Sequence, residues 1–107
     1  MDLTLENSTA GERMVVAVGG EIDVYTAPKL RERLVELINS GHYHLVINLE
    51  GVDFLDSSGL RVIVAASERL REQEGSLLLE GASPAVLRVL EITDVIERLK
   101  HSRPDGS

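Results

Sequence analysis

Leu45-Val46-Ile47-Asn48-Leu49 is a nearly continuous apolar run. A strand covered on both faces reads this way, because neither side of its pleat meets water. Such strands occur in parallel sheets flanked by helices, so the segments on either side are expected to supply those helices. Upstream, Leu30, Leu34, Leu37 and Ile38 fall on one helical face, with Lys29, Arg31, Glu32, Arg33 and Glu36 around the rest. Thr26 stands where an N-cap would, Pro28 suits a first turn whose N–H lacks a partner anyway, and Gly41 closes the helix.

Downstream, a second helix is predicted from about Ser58 to Gln73, with Leu60, Ile63, Ala66, Ser67 and Leu70 facing inward and Gly75 ending it. Leu77-Leu78-Leu79 is a second short buried strand. Ser83-Pro84 opens a third helix, a cap followed by proline at the first helical position, with Val86, Leu87 and Leu90 as its apolar stripe. Towards the N-terminus, Leu3 and Leu5 alternate with Thr4 and Glu6, Asn7-Ser8-Thr9-Ala10-Gly11 reads as a turn, and Met14 to Val18 is a strand ending at Gly19-Gly20. The order is β-β-α-β-α-β-α. It predicts one α/β domain with a mixed, mostly parallel β-sheet and helices packed against it, joined by two right-handed crossovers. The domain is expected over residues 1–100. His101 to Ser107, with Pro104 and Gly106, reads as a short disordered tail.

Composition removes several classes of function. Only 3% of the 107 residues are aromatic, so Leu, Val, Ile and Ala must build the core and no base-stacking surface is available. A net charge of −7 repels phosphate backbones, which argues against direct nucleic-acid binding. The chain has no cysteine, hence no disulfide, thiol catalysis or cysteine-type zinc site. No apolar run approaches the ~20 residues of a membrane span. Met1-Asp2-Leu3-Thr4 lacks the pattern of a signal peptide, so no membrane association and a cytoplasmic location are expected. His42, His44 and His101 have no acidic or thiol companions at ligand spacing, and no metal or other cofactor is expected. With no G-x-S-x-G elbow, no Walker loop and no histidine placed as a base, the chain does not read as an enzyme. Gly19-Gly20 is a strand-end bend by this reading, not a phosphate cradle.

Chemistry concentrates between Asn48 and Leu60. There a buried strand ends near Leu49, a short acidic connection follows, and Ser57 and Ser58 stand where the second helix begins. The carboxyl ends of strands in open α/β sheets are where ligands and partners meet the fold. The plainest role for Asp56 or Ser57 at such a place is to cap the helix. Opposite the inward stripe of that helix lie Arg61, Ala65, Glu68 and Glu72, and Ala65 beside Arg61 forms a low, partly apolar ridge just beyond Ser57.

Two motifs, Gly20-Glu21-Ile22-Asp23-Val24-Tyr25-Thr26-Ala27-Pro28 and Leu55-Asp56-Ser57-Ser58-Gly59-Leu60, closely resemble at matching separation the bacterial anti-sigma factor antagonists of the STAS domain family. The likeness runs from about Leu3 to Ile96. It implies a partner-switching circuit. The unphosphorylated antagonist binds an anti-sigma factor that is also a serine kinase, and so frees a sigma factor for transcription. Phosphorylation of the serine after the aspartate, here Ser57, ends the interaction, and a protein phosphatase restores it. Ser58 is the lesser candidate. The expected contact surface comprises Asp23, Thr26, Asp56, Ser57, Ser58, Gly59, Arg61, Val62 and Ala65.

Phosphorylation would add about −1.5 to −2 charges at a helix start, where the dipole accepts an anion but a desolvated interface does not. Arg61 stands where the family usually has glycine, and Asp94 replaces another common glycine. The chain stops soon after Lys100, where the family's last helix is expected to be short or missing. The alternative reading is a STAS ligand-sensing or scaffold module, holding a nucleotide or anion at the N-terminus of the second helix.

Overall fold

The structure is a computed structural model and describes residues 2–92. The expected tail at 101–107 and the substitution at Asp94 lie outside the described residues. The elements are β1 (Thr4–Ala10), β2 (Arg13–Ile22), α1 (Ala27–Asn39), β3 (His44–Leu55), α2 (Ser57–Glu72), β4 (Ser76–Glu80) and α3 (Pro84–Ile92). The sheet order is β1-β2-β3-β4. β1 runs antiparallel to β2, while β2, β3 and β4 are mutually parallel. This is the β-β-α-β-α-β-α arrangement expected of the sequence, with a mixed, mostly parallel sheet.

The core lies between the sheet and the helices. Leu45, Ile47 and Leu49 of β3 meet Val16 and Val18 of β2 and Leu77 of β4, and the helices close over them with Leu34, Ile63, Leu70 and Leu90. Val46 points to the opposite side of the pleat and is also buried, which accounts for the unbroken apolar run that marked this strand. Gly41, at φ +92°, terminates α1: its N–H donates to the Ile38 carbonyl and that of His42 to the Leu37 carbonyl. This is a Schellman ending.

The strands are longer than their sequence pattern predicts. Asn7 to Ala10 are not a turn but the second half of β1, which pairs with β2 as far as Ala10 opposite Arg13. The turn is confined to Gly11 and Glu12. β1 is an edge strand exposed over most of its length, so its polar residues reflect solvent, not chain reversal. β2 likewise passes through Gly19-Gly20 to Ile22. Those glycines permit a close approach. A Cβ on Gly19 would lie 2.6 Å from Thr4 Oγ1, and one on Gly20, at φ +106°, 2.6 Å from the Asp2 carbonyl oxygen.

β3 does not stop near Leu49. The segment read as an acidic connection is strand to Leu55. Ala17 pairs with Asn48 but Gly19 with Gly51, and Gly20 with Val52 but Glu21 with Phe54. Each step leaves one extra residue on β3. These irregularities put Leu49, Val52 and Leu55 inward at every third position, which erases the period-two signal.

The helix details also differ in two places. Thr26 occupies the N-cap position of α1 but makes no side-chain cap bond. In α3, Ser83 caps the helix through the Val86 N–H at 3.2 Å, and Val86 and Leu90 are buried, whereas Leu87 is 40% exposed and not part of the core.

Candidate functional site

Parallel pairing of β2 and β3 brings their carboxyl ends to one edge, so the two sequence motifs meet there. The Asp56 N–H donates to the Ile22 carbonyl at 3.1 Å. Asp56 is the N-cap of α2, with extended backbone (φ −111°, ψ −173°), and its Oδ1 accepts from the Ser58 N–H at 2.8 Å and the Gly59 N–H at 3.4 Å. Of the two residues that could have capped the helix, Asp56 is the one that does. Ser57 is therefore the first helical residue. It is exposed, and its hydroxyl forms no hydrogen bond with any described residue. Ser58 is half-buried. Gly59 is buried, and a Cβ there would lie 2.5 Å from both Ile22 Cγ2 and Leu55 Cδ1. The glycine lets α2 begin directly against the ends of β2 and β3.

Asp23 and Thr26 form the adjoining turn. The Asp23 carboxylate accepts from the Tyr25 N–H at 2.9 Å and the Thr26 N–H at 3.0 Å. Thr26 is buried, and its hydroxyl donates to the Glu21 carbonyl at 2.7 Å while accepting from the Asp23 N–H at 2.9 Å. Thr26 thus ties the turn to β2, and Asp23 takes the donors at the helix entry. The Thr26 N–H holds the Asp23 carboxyl below the usual carboxylate range, against an opposing effect of burial; the Tyr25 N–H and the Thr26 hydroxyl add to the lowering.

Arg61 and Ala65 are exposed and Val62 half-buried, on the face of α2 that looks towards α1. Between the two helices runs a groove of about 360 Å³ that contains all three, together with Arg31, Val35 and Arg69. Sequence reasoning passed over a second feature of this edge. Val24 is 59%, Tyr25 88% and Phe54 47% exposed. The chain holds only two tyrosines and one phenylalanine, and all three are exposed: Tyr25 and Phe54 at this edge, and Tyr43, at 36%, just before β3 begins. Scarcity of aromatics was the available signal: none of the three is spent on the core, and two of them stand at this one edge.

Among the described residues no group of three or more His, Cys, Asp or Glu is arranged to hold a metal ion. Likewise no described helix is long and apolar enough to cross a membrane. What the site presents is an accessible hydroxyl at a helix start, directly after the capping Asp56 carboxylate and at the edge that also carries the Asp23–Thr26 turn.

The model of the STAS domain matches residues 4–104. The anti-sigma-B factor antagonist of Staphylococcus aureus (strain NCTC 8325 / PS 47) is 38% identical over 93 residues, which is 87% of this chain and 86% of that protein. Among solved structures, an anti-sigma factor antagonist from Mycobacterium paratuberculosis superposes with a TM-score of 0.76 at 27% identity, covering 92% of this chain and 95% of that one. The Bacillus cell fate determinant SpoIIAA in its phosphorylated form shares the fold, with a TM-score of 0.70 at 24% identity over 90% of this chain and 86% of its own. Sequence, topology and the two motifs at the strand ends agree, and the chain belongs to the STAS domain family.

Proposed function

We propose that this protein is an anti-sigma factor antagonist. Unphosphorylated, it binds an anti-sigma factor with serine kinase activity and so releases a sigma factor; phosphorylation of Ser57 switches binding off, and a protein phosphatase resets it. The chain is then a binding protein and a kinase substrate, not an enzyme. The observation that carries the reading is the division of labour at the start of α2: Asp56 holds the helix, which leaves the exposed Ser57 hydroxyl without a structural task. Names borne by the relatives point the same way, as does the existence of a phosphorylated form of SpoIIAA.

The energetics fit a switch. A phosphoserine at the first helical position lies where the helix dipole favours negative charge by about 0.3–1 kcal/mol, so the fold is retained. In an interface the same dianion adjoins the Asp56 carboxylate and must shed water, with the exposed Arg61 one helical turn away to offset part of its charge. A loss of about 4 kcal/mol weakens binding roughly a thousandfold. Tyr25, Phe54 and Val24 supply the apolar area that such an interface needs.

The test is incubation with candidate anti-sigma kinases, ATP and Mg²⁺, with mass-spectrometric mapping of the modified residue. Phosphate is expected on Ser57, not Ser58. Ser57→Ala is expected to abolish it while retaining the kinase, and Ser57→Asp to lose affinity. Should no kinase modify the chain and Ser57→Asp bind as tightly as the native protein, the ligand-sensing reading takes its place.

A further inference from the structure

The groove between α1 and α2 is chemically unlike the rest of the molecule. The chain carries a net charge of −7 and only 11 Lys and Arg residues, yet Arg31, Arg61 and Arg69 all line this one groove and no carboxylate does. Among the described residues none of the three guanidiniums is held in an ion pair; Arg69 donates to Asn39 Oδ1 at 3.0 Å. Between them the surface is apolar: Val35 and Val62 are half-buried and Ala65 is exposed.

Arg61 and Arg69 are eight residues apart on α2, about 12 Å along its axis, and Arg61 stands one turn beyond Ser57. The Arg61 end of the groove therefore lies one helical turn from the switch residue. The span from Arg61 to Arg69 corresponds to about two turns of a helix laid alongside α1 and α2, with apolar side chains inward and carboxylates at its flanks.

We infer that this groove seats an acidic amphipathic helix of the partner, its apolar residues against Val35, Val62 and Ala65 and its carboxylates on Arg31, Arg61 and Arg69. That the partner is the anti-sigma factor rests on the antagonist reading; the chemistry of the occupant does not. One consequence concerns regulation. A phosphate on Ser57 lies one helical turn from Arg61 and competes for that guanidinium with the partner's carboxylate. Modification then weakens the groove contact as well as the edge contact.

The test uses the ¹⁵N-labelled full chain and a synthetic helical peptide of about 16 residues, with Leu at i, i+4, i+7 and i+11, Glu on the flanking positions and Ala elsewhere. Its counterpart carries Lys for every Glu. The acidic peptide is expected to shift the amides of Val35, Val62 and Ala65, with no comparable change on the outer face of the sheet. Arg61→Glu combined with Arg69→Glu is expected to weaken it at least about tenfold and to create binding of the Lys peptide, because the charge complement is inverted. Ala65→Gln fills the groove without altering charge and is expected to weaken the acidic peptide alone; retained shifts elsewhere confirm that both variants fold. Glu12→Gln, in the exposed turn between β1 and β2, is expected to bind it as the native chain does; no kinase enters the assay, so a failed kinase assay leaves this result standing.

Equal binding of both peptides by the native chain, shifts outside the groove, or affinity unchanged by the double reversal would overturn the inference. So would groove shifts produced by raising the protein concentration alone, which would assign the surface to a second copy of the chain.

Discussion

The backbone N–H of Asp56 donates to the carbonyl of Ile22 at 3.1 Å, so the start of α2 is pinned to the end of β2. The bond forms only because β2 and β3 are parallel and reach the same edge, with Ile22 opposite Leu55. It sets the Asp23–Thr26 turn beside the Asp56 cap, although the two aspartates are 33 positions apart in the chain. The exposed serine thus sits on a framework fixed from two elements.

Asp56 is the residue that framework needs. Its carboxylate satisfies two N–H groups at the start of α2. Asp56→Ala is expected to cost about 0.5–2 kcal/mol in urea denaturation, while Asp56→Asn, which keeps the accepting oxygen, stays within a few tenths. An Asp56→Ala variant as stable as the native protein would show that the cap does not hold the helix.

Ser57 should be nearly silent for folding. Ser57→Ala is expected to leave stability within about 0.5 kcal/mol, as for an exposed side chain without partners. Ser57→Asp places a negative charge at the positive end of α2 and is expected to raise stability by about 0.3–1 kcal/mol at low ionic strength, fading with added salt. Thermal denaturation at two salt concentrations checks both. A large loss in either variant would mean that Ser57 is structural.

Gly59 sets two effects against each other. Helix propensity alone favours Gly59→Ala by up to about 1 kcal/mol. The new methyl would lie 2.5 Å from Ile22 Cγ2 and 3.3 Å from its Cβ, and Ile22 is fully buried and stiff at χ1. The clash wins: a net loss of about 1–3 kcal/mol is expected, with faster hydrogen exchange at Ser58 as α2 is pushed off the strand ends.

The end of α2 offers a contrasting pair. Glu74, at φ +57°, holds the left-handed position of a Schellman ending, its N–H on the Arg71 carbonyl and that of Gly75 on the Leu70 carbonyl. Glu74→Gly is expected to stabilise the protein by up to about 1 kcal/mol, since relief of a strained conformation exceeds the added chain entropy. Gly75 lies one residue further on, where a Cβ would collide with the Tyr43 carbonyl oxygen, so Gly75→Ala is expected to destabilise the protein. Denaturation midpoints moving in the same direction would refute this assignment.

Asp23 gives the pH dependence. Its carboxyl lies below the ordinary value of 3.8 because its charged form accepts the Thr26 and Tyr25 N–H groups. A folded-state pKa below the unfolded one means that the contribution to stability is present above the unfolded value. It is lost as pH falls through the lowered folded value. The carboxyl carbon of Asp23 is expected to titrate below 3.8 by NMR, and Thr26→Val, which retains the backbone N–H but not the hydroxyl, to bring the midpoint partly back. A native midpoint at or above that value would contradict the capped turn.

Much of this architecture was legible in the chain. The spacing of Leu30, Leu34, Leu37 and Ile38, and of Leu60, Ile63, Ala66 and Leu70, determined α1 and α2, because a helix with one buried face must repeat its apolar residues at its own period. Leu45 to Leu49 determined a central strand, and Asp56 followed by Ser57 and Ser58 marked a helix start without deciding which of Asp56 and Ser57 caps it. Tertiary structure decided the rest. The continuation of β3 to Leu55 depends on irregular pairing with β2, which local pattern cannot express. Thr26 proved a tether to Glu21 instead of a cap, because that carbonyl lies within its reach only in the folded turn. The exposure of Tyr25, Phe54 and Leu87, and the meeting of Arg31 with Arg61 and Arg69, follow from how whole elements pack. Periodicity records which side of an element is dry; which side chains face each other across two elements is settled only when the elements dock.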